Sequence, residues 1–93
     1  MVKIPSRLDG DRAATMALEA LAFLAADPDV FGRFAELSGL DPASARQRAA
    51  EPEFLASVLD FLLSDEVLLV NFCNDGSTDP RLIHLARHAL GGP

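Results

Sequence analysis

Apolar residues recur at spacings of three and four through most of the chain, and acidic residues stand at the start of each such stretch. That spacing is the signature of one face of an α-helix. In the first stretch, from Asp9 or Asp11 to about Ala26, Leu18, Leu21, Ala22 and Ala25 share a face, and Phe23 and Leu24 widen it. Alanine dominates here, and its small size and high helix propensity suit an element packed closely among others. A second helix is predicted from Asp27 to about Ser38, with Val30, Phe31, Phe34 and Leu37 inward. Gly39 closes it, because glycine enters the left-handed conformation at no steric cost. The third helix, opened by Asp41, is short; Ala43, Ala45, Ala49 and Ala50 surround Arg46, Gln47 and Arg48, so it buries little. From Glu51 a fourth helix carries a wide stripe of Phe54, Leu55, Val58, Leu59 and Leu62, with Ser57 and Asp60 outside it.

Val67 to Cys73 is apolar nearly all round, the pattern of an element enclosed by others. Val67-Leu68-Leu69-Val70 suits a strand as well as a helix. The lack of a second strand-like segment to pair with it decides for helix, capped by Ser64 or Asp65. Asn74 to Thr78 has turn composition. Asp79 opens the last helix, with Leu82, Leu85, Ala86, Ala89 and Leu90 on one side and Arg81, His84, Arg87 and His88 on the other, and Gly91-Gly92-Pro93 stops it. These segments define an all-α fold: a compact orthogonal bundle of five or six short helices, forming one domain over residues 9–93 behind a flexible N-terminal arm, residues 1–8. Its expected core combines the Phe54 to Cys73 helix pair with the Leu18 to Ala25 face.

Four doublets, Asp27-Pro28, Asp41-Pro42, Glu51-Pro52 and Asp79-Pro80, mark helix starts. A carboxylate accepts hydrogen bonds from the unpaired N–H groups of a first turn, and proline at the first helical position has no N–H to lose. This changes the meaning of the net charge of −6. Asp9, Asp11, Asp27, Asp29, Asp41, Glu51, Glu53, Asp65, Glu66 and Asp79 all fall at helix starts, where they complement the dipole. The acidity is therefore capping chemistry, and it opposes non-specific binding to nucleic acid, which relies on Lys and Arg.

The 93-residue chain is 49% hydrophobic and 24% charged, which identifies a folded domain too small for a deep substrate cavity. Its single cysteine, Cys73, lies in an apolar run and reads as a buried, reduced thiol. Lys3 and Arg7 precede no stretch of signal-peptide character, and no run approaches the ~20 residues of a membrane span, so a cytoplasmic location is expected.

Candidate chemistry is sparse. His84 and His88 have the i,i+4 spacing of metal ligands, with Cys73 or Asp79 available to complete a set, but Arg81 and Arg87 share their face and repel a cation. Asn71 to Leu82 aligns loosely with a calcium loop and fails at Cys73 and at Leu82, where a bidentate glutamate is required. No nucleophile stands in a recognisable setting, no glycine-rich phosphate loop occurs, and the phenylalanines fall on core stripes. No catalytic residue, cofactor or metal is expected.

Phe34-Ala35-Glu36-Leu37-Ser38-Gly39-Leu40-Asp41-Pro42-Ala43-Ser44-Ala45-Arg46 resembles the helix-turn-helix of many bacterial repressors, within residues 30–50. The resemblance implies that Ser44, Arg46, Gln47 and Arg48 contact DNA. Small Ala45 and charged Arg48, where such helices carry apolar anchors, depart from the pattern. A wider resemblance runs from about Ala17 to Leu90. It is most specific through Phe54-Leu55-Ala56-Ser57-Val58-Leu59-Asp60-Phe61-Leu62-Leu63-Ser64-Asp65-Glu66, which is similar to a family of short bacterial proteins described as a domain of unknown function. That resemblance implies an all-helical fold and brings no activity or site residues with it. The leading expectation is a non-enzymatic module that binds an unknown protein partner or a second copy of itself, with surplus apolar positions at Phe61, Leu63, Val67 and Leu68 as its surface. A DNA-binding regulator is the alternative.

Overall fold

The carboxylate caps act as the sequence pattern predicts, and they set where each element begins. The computed structural model describes residues 4–91. Among them are six α-helices: α1 (Gly10–Ala25), α2 (Pro28–Ser38), α3 (Ala45–Arg48), α4 (Pro52–Leu63), α5 (Glu66–Asp75) and α6 (Pro80–Ala89), with a 3-10 turn at Pro42–Ser44 before α3. Asp9 Oδ1 accepts from the Arg12 N–H at 2.8 Å, and Asp27 Oδ1 accepts from Asp29 and Val30 at 3.0 and 3.4 Å. Asp65 Oδ1 accepts from Val67 and Leu68 at 3.1 and 3.2 Å, and Asp79 Oδ1 from Arg81 at 2.9 Å. Asp41 Oδ1 accepts from Ala43 at 3.1 Å and opens the 3-10 turn. Glu51 is the exception: it makes no side-chain cap, and its carboxylate instead accepts from Arg48 Nε at 3.0 Å. Glutamate is one methylene longer than aspartate and does not belong to the residues that cap efficiently.

The helix ends follow the same local logic. Gly39 closes α2 at φ 69°, and the Leu40 N–H reaches back to the Ala35 carbonyl at 3.0 Å while the Leu40 side chain is buried. This is the glycine-closed terminus with its hydrophobic contact. At the end of α5 the left-handed residue is Ser77 (φ 51°), one position beyond Gly76, whose φ is −99°. Gly91 (φ 78°) follows α6; Gly92 and Pro93, which complete the predicted stop, lie outside the described residues.

α1 runs through the centre and packs against both α4 and α6, which also pack on each other. Its buried residues are Ala13, Ala17, Ala20 and Leu24, at spacings of four, three and four. The predicted face of Leu18, Leu21, Ala22 and Ala25 is thereby corrected: Leu18 is 43% exposed, Ala22 and Ala25 are exposed, and Leu21 is half-buried. The reason is volume. The methyl side chains of Ala13, Ala17 and Ala20 let neighbouring helices approach α1 closely, and apart from Leu24 near its end the larger residues that fill the space come from those neighbours. Phe34, Phe54, Val58, Leu59, Leu62 and Ile83 supply that volume, all at the centre of the core. Ile83, absent from the predicted face of α6, is its most deeply buried large residue.

Three further expectations change. Leu37, predicted inward, is 78% exposed, because α2 buries only Phe34 fully and carries Val30 and Phe31 half-covered. Leu8, predicted within the arm, is 6% exposed and belongs to the core; Met1 to Lys3 lie outside the described residues. Val67 to Cys73 is helical as predicted but is not enclosed, since only Phe72 and Cys73 are buried. The α-carbon radius of gyration, 12.6 Å, matches the ~12 Å of a single compact unit of this length.

The α1 packing makes a direct prediction about the two faces. Ala17→Leu should destabilise by about 1–3 kcal/mol through overpacking. Leu18→Ala should cost less than about 1 kcal/mol, since it removes an exposed side chain in favour of a better helix former. Urea denaturation of both variants checks the order; a larger loss for Leu18→Ala would contradict it.

Candidate interaction surface

α5 presents two opposite faces. At 100° per residue, Phe72 and Cys73 point inward, while Val67, Val70, Asn71, Asn74 and Asp75 lie in the opposite half-circle and Glu66 stands at its margin. All six of the latter are exposed, Val67 at 69% and Val70 at 43%. The inward side is anchored by an edge-to-face contact between the Phe23 and Phe72 rings, 5.4 Å between centroids. The Asp65 cap fixes the start of the helix, so the outward strip is held on a rigid element. Val67 and Val70 are one turn apart and sit side by side at its middle, with Glu66 at one end and margin and Asp75 at the other.

Charge around this strip has one sign. Arg33 lies 3.7 Å from Asp65, the residue that caps α5, and Arg81 makes a two-pronged pair with Asp79, its shortest contact 2.8 Å. Each is therefore matched by a carboxylate outside the strip. Glu66 and Asp75 take part in none of the ion pairs among the described residues.

The four residues predicted as a surface differ in exposure. Val67 is freely exposed; Leu63 and Leu68 are half-buried and pack against the core. Phe61 belongs elsewhere, in a shallow groove between α2 and α4 that Phe34, Leu37 and Ser64 also line. Its ring meets Phe34 edge-on at 5.4 Å, and the Arg33 guanidinium stands 5.8 Å from its centre. Leu18 and Leu37 are exposed apolar residues that the sequence pattern placed inward. Both sit in helical registers that predict burial, and only the position of neighbouring helices exposes them.

A wider depression of about 720 Å³ lies where the start of α4 meets the end of α6. Several of its polar groups are engaged within the protein. Arg87 Nε donates to Asp60 Oδ1 at 2.7 Å and Arg87 Nη1 to the Gly91 carbonyl at 2.6 Å, Glu51 is held by Arg48, and the Ser57 hydroxyl donates to the Phe54 carbonyl at 2.6 Å. The Arg87–Asp60 pair ties α6 to α4, while Glu53, which also lines the depression, takes part in none of the ion pairs among the described residues.

The segment resembling a DNA-reading helix is a single turn. α3 spans four residues, about 6 Å. Arg46 and Gln47 are exposed and Ser44 is half-buried; Arg48 is drawn back onto the domain by Glu51 and by the Phe54 ring, 5.1 Å from its guanidinium carbon. His84 and His88 are both exposed, and among the described residues no three His, Cys, Asp or Glu side chains converge on a point. No helix among the described residues is long and apolar enough to cross a membrane.

A family model described as "Protein of unknown function (DUF3572)" matches residues 10–93, from the first residue of α1 onward. The chain belongs to this family. No curated protein and no solved structure matches it. DUF3572 membership thus agrees with the helical domain and leaves the reading of its surface to the geometry.

Two titrating groups near the end of α5 give this DUF3572 chain a defined pH response. The Arg81 side chain, and then its backbone N–H, hold Asp79 below the usual carboxylate range, while burial, and then the Asp79 charge, push the Cys73 thiol up. For Asp79 the unfolded chain binds the proton more readily, so its contribution is complete above the ordinary carboxylate range and is lost as pH falls through it. For Cys73 the folded chain holds the proton longer, so stability declines as pH rises above the ordinary thiol value of about 8.5. Asp79→Asn, which keeps a capping oxygen, should flatten the acid limb and Cys73→Ala the alkaline one, as followed by urea denaturation across pH.

Proposed function

We propose that the chain is a non-enzymatic protein-interaction module that works through the outward face of α5. The observation that carries this reading is the adjacent exposure of Val67 and Val70 on a rigid, capped helix whose opposite face already supplies its anchorage. Exposed apolar pairs on an ordered element lower the free energy of association without a folding cost. The depression between α4 and α6 supports the non-catalytic part, because Glu51, Ser57, Asp60 and Arg87 are each engaged in bonds within the protein, and the Arg87–Asp60 pair braces α6 on α4. DNA contact through Ser44, Arg46, Gln47 and Arg48 is the weaker reading: α3 offers one turn, and Arg48 is held by Glu51.

A photo-crosslinking amino acid at position 67, compared with one at the exposed Glu19 on α1, tests the proposal in cells that produce the protein. The expected result is a discrete covalent adduct from position 67 and none from position 19. No adduct at 67, or the same adducts from both positions, would contradict it.

A further inference from the structure

The pattern of apolar and charged groups on the α5 strip specifies the chemistry of a partner, given that the strip is an interaction surface at all. We propose that it takes a basic amphipathic helix, whose two central apolar side chains meet Val67 and Val70 and whose terminal lysines or arginines pair with Glu66 and Asp75. The carboxylates stand at opposite ends and opposite margins of the strip, about 14 Å apart along the helix axis. A complementary helix therefore carries its cations roughly nine residues apart, with the apolar pair between them.

Charge favours this occupant over a second copy. α5 has no basic residue, and Arg33 and Arg81 are matched by Asp65 and Asp79. Two copies joined about a two-fold axis, parallel or antiparallel, would set a pair of carboxylates at each end of the seam with no α5 cation between them. Like charges so placed oppose association. Size points the same way. A ten-residue helix face is about 15 Å long and 10 Å wide, far below the ~800 Å² per partner of a stable dimer, so the strip fits a light, salt-sensitive contact.

The probes are two synthetic helical peptides with the same leucine pair at the centre, one bracketed by lysines nine residues apart and one by glutamates, titrated into the ¹⁵N-labelled full chain. The lysine peptide should shift amides of residues 66–75 and bind about ten-fold more tightly than the glutamate peptide, with the difference closing at high salt. Glu66→Gln combined with Asp75→Asn should bring the two peptides level while leaving the helical spectrum unchanged. Equal binding of both peptides, or shifts confined to other elements, would overturn the basic partner. Concentration-dependent shifts of the α5 amides without peptide would also overturn it, in favour of self-association, while the interaction reading stood. Failure of that reading is distinguished by silence at α5 toward both peptides together with no crosslink from position 67.

Discussion

Close approach of three helices over a stripe of methyl groups is the constraint on which the domain depends. α1 presents Ala13, Ala17 and Ala20 to α4 and α6, so bulk is placed on the neighbours, where Phe54, Leu59, Leu62 and Ile83 converge. A domain of this size hides a modest share of its surface, and tight packing at the centre compensates for a thin core. Phe34 extends that core toward α2 through ring contacts with Phe54 and Phe61, at 5.8 and 5.4 Å. α5 attaches at the margin through Phe72 and Cys73, which leaves its other side to solvent.

The distribution of charge follows from the same economy of size. Short helices have a high proportion of unpaired N–H groups, and aspartates at five starts satisfy them directly. Five of the chain's fourteen acidic residues are used in this way, with the arginines drawn toward carboxylates as well: Arg33 to Asp65, Arg48 to Glu51, Arg81 to Asp79 and Arg87 to Asp60. Glu66 and Asp75 stand apart from this network. They frame an outward face of α5 that carries an exposed apolar pair and no basic residue, which is why the functional reading settles there.

The helix starts were legible in the sequence because capping is local: a carboxylate, a proline and the next two amides decide it without reference to the rest of the chain. The closure of α2 at Gly39 was legible for the same reason. The burial of each face was less so. In α1 the leucines and the alanines both form stripes at helical spacing, and only the distance to α4 and α6 selects the smaller set. Leu37 continues the register of Phe34 yet stands exposed at the groove between α2 and α4, and the apolar run of α5 predicts an enclosed helix where a half-covered one stands. Of the candidate surface, Val67 was visible as a surplus apolar residue; Phe61, Leu63 and Leu68 proved to be joined to the core. The framing by Glu66 and Asp75 could be seen only after α5 had a defined outward side.

The methyl contacts of α1 test this account most directly. In a solution NMR experiment with labelled alanine and branched-chain methyl groups, Ala13, Ala17 and Ala20 should show through-space cross-peaks to the apolar side chains of α4 and α6. Leu18 and Ala22 should show few. Cross-peaks from Leu18 and Ala22 to those helices, with the three alanine methyls silent, would mean that α1 is rotated and that the core is built on a different face.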